Sequence, residues 1–297
     1  MKSGLIILNK GEGMTSQSAV TKLKRLLGAK KAGHTGTLDP LATGVLPILI
    51  ERGVKASEFM LTGDKHYRAT LLLGITTDTE DITGTVLSEC PTIPSEEEVR
   101  RAVLSFVGEY MQTPPMYSAL KIGGKKLCDL AREGKEVERE ARPVKIFSIE
   151  MTRLSEREYS LDIHCSKGTY IRTLCADIGK KLDTGGVMKT LCRTEAAGFT
   201  LDDAHTLAEL EGMSERELEA TIIPTERIFR DKREVKLSEF YSRLAKNGLE
   251  IYLKKIGVRG LSEGELVRLY DSDGVFFALG KVELFDLDAA IKPIRQF

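Results

Sequence analysis

No stretch of this chain approaches the ~20 consecutive apolar residues that a helix needs to cross a bilayer. The first apolar run, LIIL at 5–8, is too short for a signal-peptide core, and no small-residue cleavage site follows it. Membrane insertion and secretion are therefore not expected. Cysteine is sparse and odd in number: Cys90, Cys128, Cys165, Cys175 and Cys192, with no C-x-x-C pair. That pattern supports neither a disulfide framework nor a zinc site, and it suits a reducing cytoplasm. Internal repeats and low-complexity tracts are missing as well. What remains, 41% hydrophobic and 30% charged residues, is the composition of an ordinary folded protein. Its 297 residues suffice for one substantial domain and a small one.

Net charge is also lacking, since 44 Lys and Arg balance 44 Asp and Glu. Taken alone this argues against a nucleic-acid partner, but the zero conceals an uneven distribution. Residues 1–68 carry 11 basic against 5 acidic residues, while 201–232 carry 4 against 9. The segment 119–145 has 8 basic and 5 acidic residues. A polyanion fits the first and third of these regions, although solvated surface charge accounts for the same counts.

GLIIL reads as a buried strand, and Thr15 or Ser16 offers an N-cap oxygen for a helix over about 17–28. VLPILI is a further strand, which Pro47 pushes toward a sheet edge or a bulge. In HYRATLLL, Tyr67, Ala69, Leu71 and Leu73 share one face. TTDTEDITG carries acids at 78, 80 and 81, which misses the alternate-residue ligand spacing of an EF-hand, so it reads as a turn-rich link. A helix is predicted over 95–110, and strands over 144–153 and 159–165. The weakly periodic 119–145 reads as a protruding arm. After KGTYIR, Ile171, Leu174, Ile178 and Leu182 recur at helical spacing. AAGFTL is strand-like and precedes acidic helices. Beyond the charged IFRDKRE, short strands such as ELVRLY and VFFALGKVEL indicate a small β-rich module. The fold class is α+β with that module appended.

One loop, GHTGTLDPLATG at 33–44, holds a solitary acid. Asp39 is biased to an extended backbone by Pro40, and Gly33, Gly36 and Gly44 free the chain around it. An Asx turn is the plain explanation. A glycosidase would need a second carboxylate, and none is close in sequence. A phosphate-binding loop would need a lysine after its glycines, and none is there. A single carboxylate acting at a sugar carbon needs neither metal nor organic cofactor. Tyr67 in K-H-Y-R and Tyr170 in K-G-T-Y-I-R place aromatics beside cations, as base-stacking platforms do, though tyrosines on strands are more often packing residues. Arg172 could pair with a carboxylate across a cleft, or simply lie on a helix surface.

Taken together, LNKGEGMTS, GHTGTLDPLATGVLP, KHYRATLLLG, TDTEDITG, MYSALKIGGKK, REARPV, HCSKGTYIR and LCRTEAAGF resemble the TruB-type tRNA pseudouridine synthases in order and approximate spacing. The resemblance spans about residues 4 to 200, and the C-terminal module is similar to the PUA-like domain of bacterial members. It implies a mixed, mainly antiparallel sheet with flanking helices. It divides the chain into a catalytic domain over 1–230, with an RNA-gripping arm at about 113–145, and a PUA-like domain over 233–297.

By that resemblance Asp39 is the catalytic residue. It acts on a uridine whose base is detached, rotated and rejoined through C5, either by attacking C1′ or by assisting formation of a glycal. Arg172 matches the arginine that pairs with the aspartate, and Tyr67 the tyrosine that stacks on the target base. Tyr170 and Leu191 match residues lining the base pocket. His34 matches a histidine near the displaced nucleotides, and Lys10 a lysine of the N-terminal motif. No cofactor or metal is implied. The implied partner is tRNA, gripped at its T arm with uridine 55 flipped out, and contacted at its acceptor stem by the PUA-like module. A monomer with no obligate protein partner is expected.

Two departures are visible: Gly11 where the family has proline, which loosens the loop around Lys10, and Cys192 where it has arginine. The alternatives are a non-catalytic protein that helps tRNA fold, the catalytic subunit of a guide-RNA-dependent pseudouridylase, and a nucleoside glycosidase that would release free uracil. The guide-dependent subunit would carry additional terminal sequence.

Overall fold

A computed structural model describes residues 2–61, 63–285 and 288–297. Among these, ten strands form one large sheet. Its main path runs Ile223–Pro224, Gly4–Lys10, Thr43–Ile50, Gly186–Ala196, Lys65–Leu73, Glu158–Cys165, Arg142–Arg153 and Gly108–Gln112, antiparallel except where Gly186–Ala196 meets Thr43–Ile50. The fold is α+β, as expected, with a mainly antiparallel sheet.

Alternation along the strands gives this sheet two packed faces. Ile6, Leu8, Leu46, Ile48 and Ile50 face the main core with Ala69, Leu71 and Leu73. Leu5, Ile7, Val45 and Leu49 face a second cluster with Phe199, Phe229 and Leu279. A separate five-stranded sheet, ordered Arg233–Lys236, Leu266–Tyr270, Phe276–Phe285, Asp288–Gln296 and Ile251–Tyr252, has its own core around Val267, Leu269 and Ile291. It packs on the large sheet through that second cluster.

Two elements flank the site. The helix Ser16–Leu26 starts where expected, with Thr15 Oγ1 accepting from Ser18 N at 3.0 Å. The helix Ile171–Lys181 lies on Gly186–Ala196 because two glycines let the backbones touch: a Cβ on Gly179 would fall 2.1 Å from Gly186 N.

Three expectations need correction. The helix predicted over 95–110 ends at Leu104, and Gly108, at φ +112°, opens the edge strand Gly108–Gln112. Pro47 lies in an interior strand, opposite Ile7. On its other side it meets the end of the pairing with Ala32–His34, where Thr35 N donates to Pro47 O at 3.2 Å and the missing proline N–H gives no return bond. The strand Gly186–Ala196 was not predicted, although it is central. Register shifts between Met188 and Thr190 and between Arg193 and Glu195 break its alternation, so the period-2 signal is absent.

Gly179→Ala would push the helix that carries Arg172 off the sheet. Overpacking of this kind costs roughly 1–3 kcal/mol, read as a lowered urea midpoint; an unchanged midpoint would contradict the contact.

Candidate active site

The Asp39 loop is built on ties to its neighbours. Ser16 Oγ donates to Leu38 O at 2.9 Å and accepts from Leu38 N at 2.8 Å, locking the start of the helix to the loop. Gly13 N donates to Pro40 O at 2.9 Å. Lys10 is fully buried beneath, with Nζ donating to the carbonyls of Gly11, Met14 and Pro40 at 2.9, 2.9 and 3.3 Å. Glycine at 11 therefore leaves Lys10 firmly held. Burial pushes the Lys10 ammonium down to about 8, with the nearby Arg193 adding to the effect and Asp39 and Glu12 opposing it.

The Asp39 carboxylate is not spent on an Asx turn. Its Oδ2 meets Arg172 Nε at 3.0 Å, and the acid stays 36% exposed while the arginine is 5% exposed. Arg172 Nη1 donates to Thr79 O at 3.2 Å and Nη2 to Tyr117 O at 2.8 Å. Asp81 Oδ2 lies 4.0 Å from Arg172 Nε. The TDTEDITG segment is thus a link between strands that also seats Arg172. Asp81 Oδ1 is itself occupied, accepting from Thr79 Oγ1 at 2.8 Å and from Thr83 N at 2.9 Å. The next residue along the helix, Thr173, donates through Oγ1 to Glu80 Oε2 at 2.6 Å.

Tyr67 is buried on the same sheet face as Ala69, and both it and Leu191 belong to the main core cluster. Burial pushes its phenol up, Arg193 counteracts this by charge and hydrogen bonding, and the charge of Asp39 reaches it. Tyr170 caps the Ile171–Lys181 helix with its backbone alone. Buried Gln112 holds it, Oε1 accepting from Tyr170 N at 2.8 Å and Nε2 donating to Tyr170 O at 3.0 Å. A cleft of about 330 Å³ opens beside Tyr170, with Leu120, Pro114 and Val144 as apolar walls and Arg142 and Lys167 at its basic side.

Arg172, Tyr67, Tyr170 and Lys10 are therefore each brought within electrostatic reach of Asp39. His34 stands apart on the short strand Ala32–His34, its Nδ1 buried without a hydrogen-bond partner and its pKa lowered by burial and then by Arg193.

Residues 24–171 match the family described as "TruB family pseudouridylate synthase (N terminal domain)", and residues 172–230 that described as "tRNA pseudouridylate synthase B C-terminal domain". A protein of Alkaliphilus oremlandii named tRNA pseudouridine synthase B is 48% identical over 250 residues, 84% of this chain and 83% of its own length. One of that name from Clostridium tetani is 41% identical over 280 residues, covering 94% and 95%. The chain belongs to the TruB family of pseudouridine synthases. Among solved structures, "Crystal Structure of a Cbf5-Nop10-Gar1 Complex" superposes with a TM-score of 0.74 at 26% identity, over 99% of this chain and 84% of that one.

Several residues that shape this TruB-family site were not singled out from the sequence: Asp81, Glu80, Gln112 and Arg193. Asp81 sits in a segment that reads as a turn, and Gln112 beside a predicted helix end. Arg193 lies in the strand that was missed. Beyond the TDTEDITG and LCRTEAAGF segments themselves, a signal for Arg193 was Gly44, whose φ of +100° and 2.3 Å approach of a would-be Cβ to Arg193 O leave no room for a side chain.

Lys10 generates a stability prediction. Its native pKa of about 8 lies below 10.5, so between these values the unfolded chain binds more protons and stability rises with pH. Relative to Lys10→Met, the wild type should gain up to roughly 3 kcal/mol across that window, measured as urea midpoints at successive pH values. A constant difference between the two proteins would refute the buried-ammonium reading.

Proposed function

We propose that this enzyme isomerises uridine to pseudouridine in tRNA, at the T-loop uridine of position 55, with Asp39 as its one catalytic carboxylate. The observation that carries the proposal is the Asp39–Arg172 pair at 3.0 Å, with the acid still partly open to solvent. The N1–C1′ bond breaks, the uracil turns, and a C5–C1′ bond forms. The C5 proton is lost and N1 gains one, so no water is consumed as a reactant. Both the covalent C1′ adduct and the glycal route give Asp39 its work at the ribose.

The other residues take roles consistent with their positions. Arg172 orients Asp39, and Asp81 with Thr79 orients Arg172. Tyr67 stacks on the flipped base, with Tyr170 and Leu191 lining its pocket. Lys10 holds the loop from below, and His34 lies toward the displaced nucleotides. The basic 1–68 region and the arm supply phosphate contacts that offset the cost of flipping, and the C-terminal sheet extends them along the acceptor stem. The relatives named tRNA pseudouridine synthase B support tRNA as the substrate.

A glycosidase would use a second carboxylate with room for water. The neighbouring carboxylates are Asp81, which is buried and hydrogen-bonded to Thr79 and Thr83, and Glu80, which accepts from Thr173; both are already engaged, which disfavours that reading.

The test uses tRNA tritiated at C5 of uridine. Wild type should release label to water, and Asp39→Asn should reduce release by at least about 1,000-fold, as loss of a unique reacting group does. Free uracil as product would establish a glycosidase, and bound tRNA with no release from wild type a binding protein. Release that persists when position 55 is cytidine would move the target elsewhere.

A further inference from the structure

Arg193 is 1% exposed and heads the largest fully buried side chains. Its donors meet neutral oxygens: Nε gives to Val45 O at 2.8 Å and Nη2 to Gly36 O at 3.1 Å. No carboxylate forms an ion pair with it among the described residues, in contrast to Arg172. A buried cation without an acid is costly, and an apolar residue of similar volume is often more stable in such a place. Packing alone therefore gives a poor reason for arginine here.

Its place in the sheet gives a better one. Arg193 lies directly opposite Tyr67 in the antiparallel pairing and opposite Gly44 in the parallel one. Directly opposed side chains on one face stand about 4.5–5.5 Å apart at Cβ. In that pairing the two side chains are neighbours across the strands, and the charge and hydrogen bonding of Arg193 oppose the rise that burial imposes on the Tyr67 phenol. The arginine's other arm reaches the loop of the catalytic acid: Gly36 precedes Asp39 by one turn of chain, and a Cβ on Gly36 would sit 3.4 Å from Arg193 Nη1. A guanidinium only donates. A bond from it to the phenol oxygen leaves the phenol's own hydrogen free to point elsewhere.

We propose that Arg193 is a positioning residue for the isomerisation: one rigid guanidinium grips the Tyr67 hydroxyl and the Gly36 carbonyl together, and so sets the stacking ring against the Asp39 loop. Lysine cannot do this, because a single ammonium on a flexible stem does not span two oxygens with a planar fork. The inference rests on the reading of Asp39 and Tyr67 as site residues.

The experiment compares wild type, Arg193→Lys, Arg193→Gln, Tyr67→Phe and the Arg193→Gln/Tyr67→Phe double variant. Single-turnover tritium release and tRNA affinity are measured on each, with thermal unfolding as a check on folding. Both Arg193 variants should lower the single-turnover rate roughly 10- to 100-fold, the scale of an ångström-sized misplacement. Their tRNA affinity should stay within about twofold of wild type, since a buried residue makes no ground-state contact. Arg193→Gln should cost several-fold less when the Tyr67 hydroxyl is already missing, because the two then share one interaction. Three results would overturn the proposal: a wild-type rate for Arg193→Lys, a rate loss matched by lost tRNA affinity, or an Arg193→Gln effect independent of the Tyr67 hydroxyl. Full release by Asp39→Asn would instead overturn the site reading beneath it, so the two failures are told apart.

Discussion

Everything at the centre of this enzyme depends on seating one guanidinium. Arg172 is almost wholly buried, and an ion taken out of water costs several kcal/mol unless its donors and its charge are both answered. The answer comes from three segments far apart in the chain: the Asp39 carboxylate, the Thr79 carbonyl with Asp81, and the Tyr117 carbonyl at the base of the arm. Each segment needs the arginine as much as the arginine needs it. The planar fork makes the arrangement rigid, since its donors point in fixed directions. Asp39 gains a fixed direction without being buried, and so keeps a face toward solvent.

Around that pair the charges are unbalanced in a way the whole-chain total hides. Lys10, Lys65 and His34 are all held below their usual pKa values, by burial first and then by the field of Arg193. Lys10 and Arg193 satisfy their donors with carbonyls rather than acids. A site that concentrates cations against neutral oxygens is poor at holding its own charge and well suited to receiving a polyanion. Zero net charge for the chain is compatible with this because the compensating acids lie elsewhere, many of them in the 201–232 stretch.

The sequence revealed those parts of the site whose constraint is local. The glycines and proline around Asp39 mark a specified turn whatever lies across from it, and strict alternation in HYRATLLL puts Tyr67 on the core face. Long-range constraints left little trace. Asp81 looks like any turn acid, because what makes it useful is Arg172 on a distant helix. The strand Gly186–Ala196 hides because two bulges disturb its period, and with it hid Arg193, an ordinary polar residue until the opposite strand is known. Pro47 misled for a related reason. A proline costs a ladder only the bond its N–H would have made, and here it sits where the pairing with Ala32–His34 runs out, its carbonyl still accepting from Thr35 N.

The same strand that ends in Lys10 also carries the docking of the C-terminal sheet. Along Gly4–Lys10, Ile6 and Leu8 point into the main core while Leu5 and Ile7 point into the second cluster. Phe229 there meets Phe59, Phe276 and Phe297 at ring-centroid distances of 5.3, 6.2 and 5.5 Å. Arg268 reaches Glu226 at 3.1 Å across the junction, and at 3.0 Å Glu234, its register partner within the C-terminal sheet. Aromatic packing of this kind is short-ranged and shape-specific, so it resists the sliding that a wet, polar junction permits. The two sheets therefore present their surfaces at a set separation, which any ligand spanning both has to match.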